Sequence, residues 1–256
     1  MKTVGLIGCG AIGTVLAEAI ERKLVICDEL IVFDVDLSKA EQLKKALKFP
    51  VTIVQSFEEL LRRKPTVIVE AASQQAATEY DAARSLAEEQ KDPLRAGVYN
   101  FNLGLALQQL GQNERAVKAF QRSKEQNRAA SRPSLEARAT LYQGIALTSI
   151  NRTSKEPIAL FEAAAKAFEQ LKEDRYAGAS YWYMAQQTAF TGDMAGAAKI
   201  TEKAIPFLVS AGDKTTLATC YELVAQVYSL STSEEEKAKA EKYKKLAEQI
   251  RKEIGK

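Results

Sequence analysis

Residues 73–90 read SQQAATEYDAARSLAEEQ, and they satisfy two patterns at once. From the N-terminal side the stretch is the helix expected after the fourth strand of a small α/β unit. From the C-terminal side it is the second helix of a helical hairpin, because Ala76, Tyr80 and Ala83 carry a small, aromatic, small spacing that recurs downstream. Ala, Glu, Gln, Arg and Leu dominate the stretch and no helix breaker interrupts it, so a continuous rigid helix is expected rather than a flexible linker.

The composition narrows the classes on either side of that helix. With 256 residues the chain can bury two ordinary cores, and 46% hydrophobic residues exclude a disordered chain. The formal charge of +3 arises from 36 basic and 33 acidic residues spread along the sequence, which argues against a nucleic-acid surface. Cys9, Cys27 and Cys220 are odd in number and unevenly placed, so no disulfide framework is expected and a reducing compartment is the default. No basic segment with an apolar signal core opens the chain and no apolar run has the length of a membrane span, so the expectation is a soluble, cytoplasmic protein without a membrane partner. The complete absence of histidine removes the commonest general base and the commonest metal ligand.

Before the helix, Lys2 to Ile7 (KTVGLI) reads as a strand and runs into Gly8-Cys9-Gly10-Ala11-Ile12-Gly13, followed by a helical pattern through Leu16, Ala19 and Ile20. In a strand, glycine turn, helix unit, Gly8 permits the tight turn, Gly10 lets backbone approach a pyrophosphate, and Gly13 lets helix and strand pack closely. The helix N-terminus supplies N–H groups and a positive dipole end. A second strand, Glu29 to Phe33, ends at Asp34, 21 positions after Gly13. A carboxylate there accepts from both ribose hydroxyls and repels a 2′-phosphate, which favours NAD over NADP; Asp36 ranks below it. Capping-box patterns at Ser38 with Glu41 and at Ser56 with Glu59 start the next helices. Val51 to Val54 and Thr66 to Glu70 are the third and fourth strands, with 3-2-1-4 as the expected order and Thr66 to Glu70 as an open edge.

The stretch from Thr3 to Tyr80, with VGLIGCGAIG, IVFDVD and VIVEAASQQAATEY, resembles the N-terminal dinucleotide-binding part of the L-aspartate dehydrogenase family. The resemblance implies that Glu70-Ala71-Ala72-Ser73 faces the cofactor, which adds Ala71, Ala72 and Ser73 to Gly8, Gly10, Ala11, Ile12, Gly13 and Asp34 as cofactor-binding candidates. Members of that family catalyse reversible NAD(P)-dependent oxidative deamination of aspartate, with a C-terminal domain that carries substrate and a catalytic histidine. After Tyr80 this sequence departs from the family, so no catalytic residue is assigned.

Beyond the helix a repeat of about forty residues takes over. Asn100-x-x-Leu103-Gly104-x-x-Leu107 leads to Gly111, Ala116 and Phe120, and Thr140-x-x-Gln143-Gly144-x-x-Leu147 leads to Pro157 and Phe161. The pattern returns at Tyr181-x-x-Met184-Ala185-x-x-Thr188 and at Tyr221-x-x-Val224-Ala225-x-x-Tyr228. The small residues 104, 144, 185 and 225 are spaced by 40, 41 and 40, and Ala76 is already in register with Gly104. This resembles the tetratricopeptide repeat (TPR) in a longer-helix form, which implies a concave groove lined by first helices. The groove would present Phe101, Leu105, Gln108, Leu141, Ile145, Trp182, Gln186, Phe190, Glu222 and Gln226 to a peptide or protein. Against that stands ordinary helix packing by Phe101 and Trp182. The charged segment 233–252 reads as a solvated cap.

The expected architecture is therefore an α/β half-Rossmann of four parallel strands (1–75) fused through the helix 73–90 to an all-α TPR-like solenoid (76–256). The expected function is that of a chimera, engineered by its abrupt change of family inside one helix, binding NAD weakly and catalysing nothing. A natural TPR adaptor responsive to NAD(H) is the alternative and an NAD-dependent oxidoreductase the third reading. Monomers, or dimers through the sheet edge, are expected.

Overall fold

The computed structural model describes residues 2–34, 36–70 and 74–255, except for the side chains of Ala11, Ile12, Glu70, Gln74 and Gln75. Its first elements alternate: β1 (Thr3–Ile7), α1 (Ala11–Glu21), β2 (Glu29–Phe33), α2 (Leu37–Ala46), β3 (Val51–Ile53), α3 (Phe57–Arg62) and β4 (Val67–Glu70). Among the described residues only helices follow: α4 (Gln74–Glu89), α5 (Pro93–Gln109), α6 (Asn113–Ala129), α7 (Pro133–Ile150), α8 (Glu156–Leu171), α9 (Asp174–Phe190), α10 (Met194–Ala211), α11 (Lys214–Ser229) and α12 (Glu234–Ile254). The architecture is a four-stranded parallel α/β half-sheet followed by an all-helical TPR-like array. Two compact units result, one holding the chain up to Leu86 together with Leu105–Gln112, the other Ala87–Gly104 together with the chain from Asn113 onward.

In the first unit the strands pair in parallel in the order β3-β2-β1-β4, as the βαβ rhythm requires. Val4, Leu6, Leu30 and Val32 form one core cluster with Ala17 and Ile20 of α1 and Ala40 and Leu43 of α2. At Gly5 a side chain would crowd its neighbours, since a Cβ there would lie 3.0 Å from Leu60 and 3.1 Å from Pro65. Phe57 of α3 meets Tyr80 of α4 edge-on, with ring centroids 5.2 Å apart. Ala76 and Tyr80 are both 1% exposed, whereas Ala83, expected in the same buried row, is only half-buried. The inward row of α4 therefore weakens over its middle turns.

In the second unit two successive helical hairpins, α5–α6 and α7–α8, are closed by the same contact. A Cβ on Gly104 would sit 2.6 Å from the Phe120 ring, and one on Gly144 would sit 2.6 Å from the Phe161 ring. Only a bare Cα lets the first helix approach the aromatic ring of the second this closely. Turns end in left-handed residues not only at Gly111, Gly192 and Gly212 but also at Ser131 and Lys172. At each of these the next N–H bonds back to a carbonyl five residues earlier, as in Arg132 to Asn127 (2.9 Å) and Glu173 to Phe168 (2.9 Å). The loop after α7 departs from this scheme. Gln187 of α9, 1% exposed, donates from Nε2 to the carbonyls of Arg152 (2.8 Å) and Ser154 (2.5 Å) and accepts from Thr148 Oγ1 (2.7 Å). A buried amide thus tethers the inserted loop.

Gly104→Ala should destabilise the helical unit by about 1–3 kcal/mol through overpacking. Urea unfolding checks this, and the double variant with Phe120→Leu should recover part of the loss because the ring no longer opposes the new methyl.

Candidate dinucleotide site

The carboxyl ends of β1 and β2 bring the glycine turn and Asp34 together. Gly8 adopts φ +91°, a left-handed conformation that a side chain disfavours, and its N–H donates to the Phe33 carbonyl at 2.8 Å. Cys9 N–H then donates to Asp34 Oδ2 at 2.6 Å, while Asp36 N–H donates to Asp34 Oδ1 at 2.9 Å. Each carboxylate oxygen of Asp34 thus holds one backbone N–H and keeps a lone pair for a further donor. The spacing of Asp34 from the glycines suggested a ribose ligand. Its second task, stapling the turn to β2, needed the fold to become visible.

Gly10 caps α1 in extended geometry without a side-chain hydrogen bond, and the first turn of α1 contains no acidic residue. Its surroundings are open, with nothing within 4 Å of where a Cβ would stand. The first-turn N–H groups of a helix that starts beside a strand terminus suit an anionic group. Gly13 is buried, as close packing of α1 on the sheet requires. Beside Asp34 lies a cleft of about 470 Å³, lined in part by Leu37, Gln55, Ser56, Glu58 and Glu79. Asp34, Glu58 and Glu79 are three carboxylates in this lining, and with no cation among its described residues they disfavour a phosphate on the ribose. Lys39, which the sequence reading did not weigh, is paired with Asp36 at 3.8 Å. Burial, and then the Asp34 charge, push the Cys9 thiol up to about 12 against a smaller opposing effect of Lys39, so it stays protonated near neutral pH. Ala71, Ala72 and Ser73 lie outside the described residues, as do the side chains of Ala11 and Ile12.

The expected peptide-groove residues fare unevenly. Leu141 is 2% exposed and packs with Ala137, Phe161 and Phe168, so it is core and offers no surface. Phe101 lies edge-on to Phe120 (5.6 Å) and Tyr142 (5.1 Å), and Ile145 and Trp182 pack against neighbouring core clusters. Helix packing therefore takes up much of the aromatic row. Leu105 and Gln108 are half-buried and belong to the first compact unit, while Gln186 is half-buried and Phe190 is 45% exposed in the second. Glu222 and Gln226 line a cleft of about 600 Å³ between α11 and α12. Glu222 is already committed there: Arg251 donates to it from Nε (2.8 Å) and Nη2 (2.9 Å), which lowers its pKa.

The comparisons with known proteins follow the same division. Residues 8–91 match the family model of the homoserine dehydrogenase NAD-binding domain, and the match continues beyond Tyr80 through the whole of α4. No curated protein sequence matches the chain. Among solved structures, BtubC (BKLC) from P. vanneervenii superimposes with a TM-score of 0.61 at 14% identity, over 95% of this chain and 90% of that one. The signal-transduction ATPase with a tetratricopeptide repeat sensor from Pyrococcus horikoshii gives 0.62 at 16%, over 93% of this chain and 36% of its own. A Podosopora anserina kinesin light chain of nearly identical TPR-like repeats gives 0.56 at 12%, covering 71% and 88%. At these identities the likeness concerns fold. The chain combines an α/β segment similar to a dehydrogenase NAD-binding domain with a TPR-like helical array.

Gly8→Ala should cost about 1–3 kcal/mol, because alanine is strained at this positive φ, whereas Gly10→Ala should leave thermal stability unchanged. Melting curves of the two variants test whether the glycines are kept for different reasons.

Proposed function

We propose that this chain is a non-catalytic binding protein: a half-domain that grips an adenine dinucleotide, joined through α4 to a TPR scaffold that takes peptide. On this reading the parts are residues 1–75 and 76–256, with the helix 73–90 common to both. The observation that carries it is the open N-terminus of α1 beside the Asp34 carboxylate, on the residues that match a NAD-binding family. Gly8, Gly10, Gly13 and Asp34 belong to the half of such a fold that holds pyrophosphate and adenosine ribose. The chain passes from β4 into helical hairpins instead of further strands, so the nicotinamide half of the cofactor gains nothing from a second half-sheet. NAD and ADP-ribose should therefore bind weakly and within about tenfold of each other, a difference of roughly 1.4 kcal/mol. Asp34→Ala and Gly10→Ala should weaken both. Calorimetry with NAD, ADP-ribose and AMP tests the claim, and aspartate-dependent formation of NADH would refute the non-catalytic reading.

The junction reads as engineered, because the 28-residue register from Ala76 to Gly104 continues the repeat into a helix that also matches the dehydrogenase-type family. A natural adaptor whose partner affinity follows NAD(H) is the competing reading; saturable partner binding that changes with NAD would favour it.

Self-association belongs at β4. Val67 on this edge strand is 52% exposed, and Leu24 and Ile26 of the α1–β2 loop are 76% and 78% exposed. Val67 and Val69 share a small cleft with Ile26. An open, apolar sheet edge invites pairing with another strand. Sedimentation should show a concentration-dependent dimer that Val67→Lys abolishes; a monomer at every concentration would oppose this.

A further inference from the structure

One edge of the helical array is apolar where the opposite edge is polar. Ile150 and Phe190 end the first helices α7 and α9, and Leu230 follows the end of α11, at intervals of forty residues. All three are exposed, at 42%, 45% and 83%. Met194, at the start of α10, is exposed beside them in sequence. The connections at the other ends of the helices carry Ser131 with Arg132, Lys172 with Glu173, and Gly212 with Asp213, which suffice to turn the chain. The apolar row is therefore not required by the turns it stands beside. Its first two members are neighbours: the guanidinium of Arg152, two residues after Ile150, lies 5.7 Å from the Phe190 ring centroid, and Gln187 of α9 holds the same loop. Phe190, expected in the peptide groove, belongs to this edge.

The two ends of the row differ in charge. The α7–α8 tip holds the exposed cations Arg152 and Lys155, which outnumber Glu156, whereas the α11–α12 tip opens with Glu234, Glu235 and Glu236. Glu234 and Glu235 reach Lys237 and Lys239 of their own helix at 2.8 and 2.9 Å, and surface pairs of this kind hold their charges only weakly. We propose that this edge docks an amphipathic α-helix of another protein, acidic at the end that meets Arg152 and Lys155 and basic at the end that meets Glu234, Glu235 and Glu236. α7 touches α9, and touching helices lie about 8–10 Å apart. Two turns of a helix return a side chain to one face after about 10.5 Å, whereas a strand returns it after about 6.8 Å. A helix with apolar residues at intervals of seven therefore keeps step with the row, and a strand drifts out of it. The inference goes beyond the peptide-scaffold reading, because the edge lies at the hairpin tips and not along the faces of the first helices.

The probe is a blocked, fluorescein-labelled peptide of three heptads, with leucine at the first and fourth position of each, glutamates in the first heptad and lysines in the last. Anisotropy titration of the full chain should show saturable binding that Leu230→Ser and Phe190→Ser each weaken at least tenfold, and that Lys155→Glu weakens severalfold at low salt. Leu230 is so exposed that its replacement leaves the fold intact, which melting curves check. A copy of the probe with proline in its middle heptad should bind at least tenfold more weakly. Equal binding of the proline copy would overturn the helix. No saturable binding, or binding unchanged in folded Leu230→Ser, would overturn the docking edge while sparing the groove. Sedimentation of the chain alone completes the test: a dimer that persists in Val67→Lys and is lost when Leu230→Ser is added would assign the edge to a second copy and overturn the proposal.

Discussion

Close approach of two helices at a residue without a side chain is the constraint on which the first two hairpins of the helical part, α5–α6 and α7–α8, depend. Gly104 lies under Phe120 and Gly144 under Phe161, each so near that a single methyl would enter the ring. The contact acts twice, bringing the backbones together and fixing where along each helix the partner crosses. With the crossing set, Ala116, Ala119, Ala137 and Ala164 are buried as small residues between helices. Capping turns then return the chain at the right place, by a left-handed residue whether or not it is glycine.

The half-sheet depends on a different device. Parallel strands bury residues on both faces, and here β1 and β2 are almost wholly buried while β4 remains partly open. The glycine turn leaving β1 is secured by Asp34 at the end of β2, through backbone N–H donation and not through side-chain packing. One carboxylate therefore shapes the turn and stands ready at its mouth. Removing it would disturb the loop as well as any ribose contact, so binding losses at Asp34 must be read beside stability.

The two halves differ in what their polar groups do. In the α/β unit, polar backbone at strand ends stays open to solvent and creates the candidate site. In the helical unit, the buried Gln187 is taken up by the inserted loop, and the half-buried Glu202 accepts from the hydroxyls of Tyr228 (2.6 Å) and Tyr243 (3.0 Å). Arg138 departs from that habit, held between the Phe101 and Tyr176 rings without an acceptor for its buried Nε.

By itself the sequence determined the strand, turn, helix order, the acid at the end of β2, the 3-2-1-4 sheet and the forty-residue period. These are properties of spacing along the chain, and local geometry converts spacing into structure before distant parts meet. It also located α4 in both patterns, since helical periodicity and repeat register can be counted. The tertiary structure alone decided which counted positions became surface. Leu141 sits on a first helix like its neighbours, yet the crossing of α8 takes it into the core. Ser131 and Lys172 adopt left-handed geometry because a closing hydrogen bond and hairpin packing demand it, which their identities do not announce. Arg138 looks like any solvated arginine in the sequence. Its place between Phe101 and Tyr176 exists only because three helices, each some forty residues from the next, are stacked side by side.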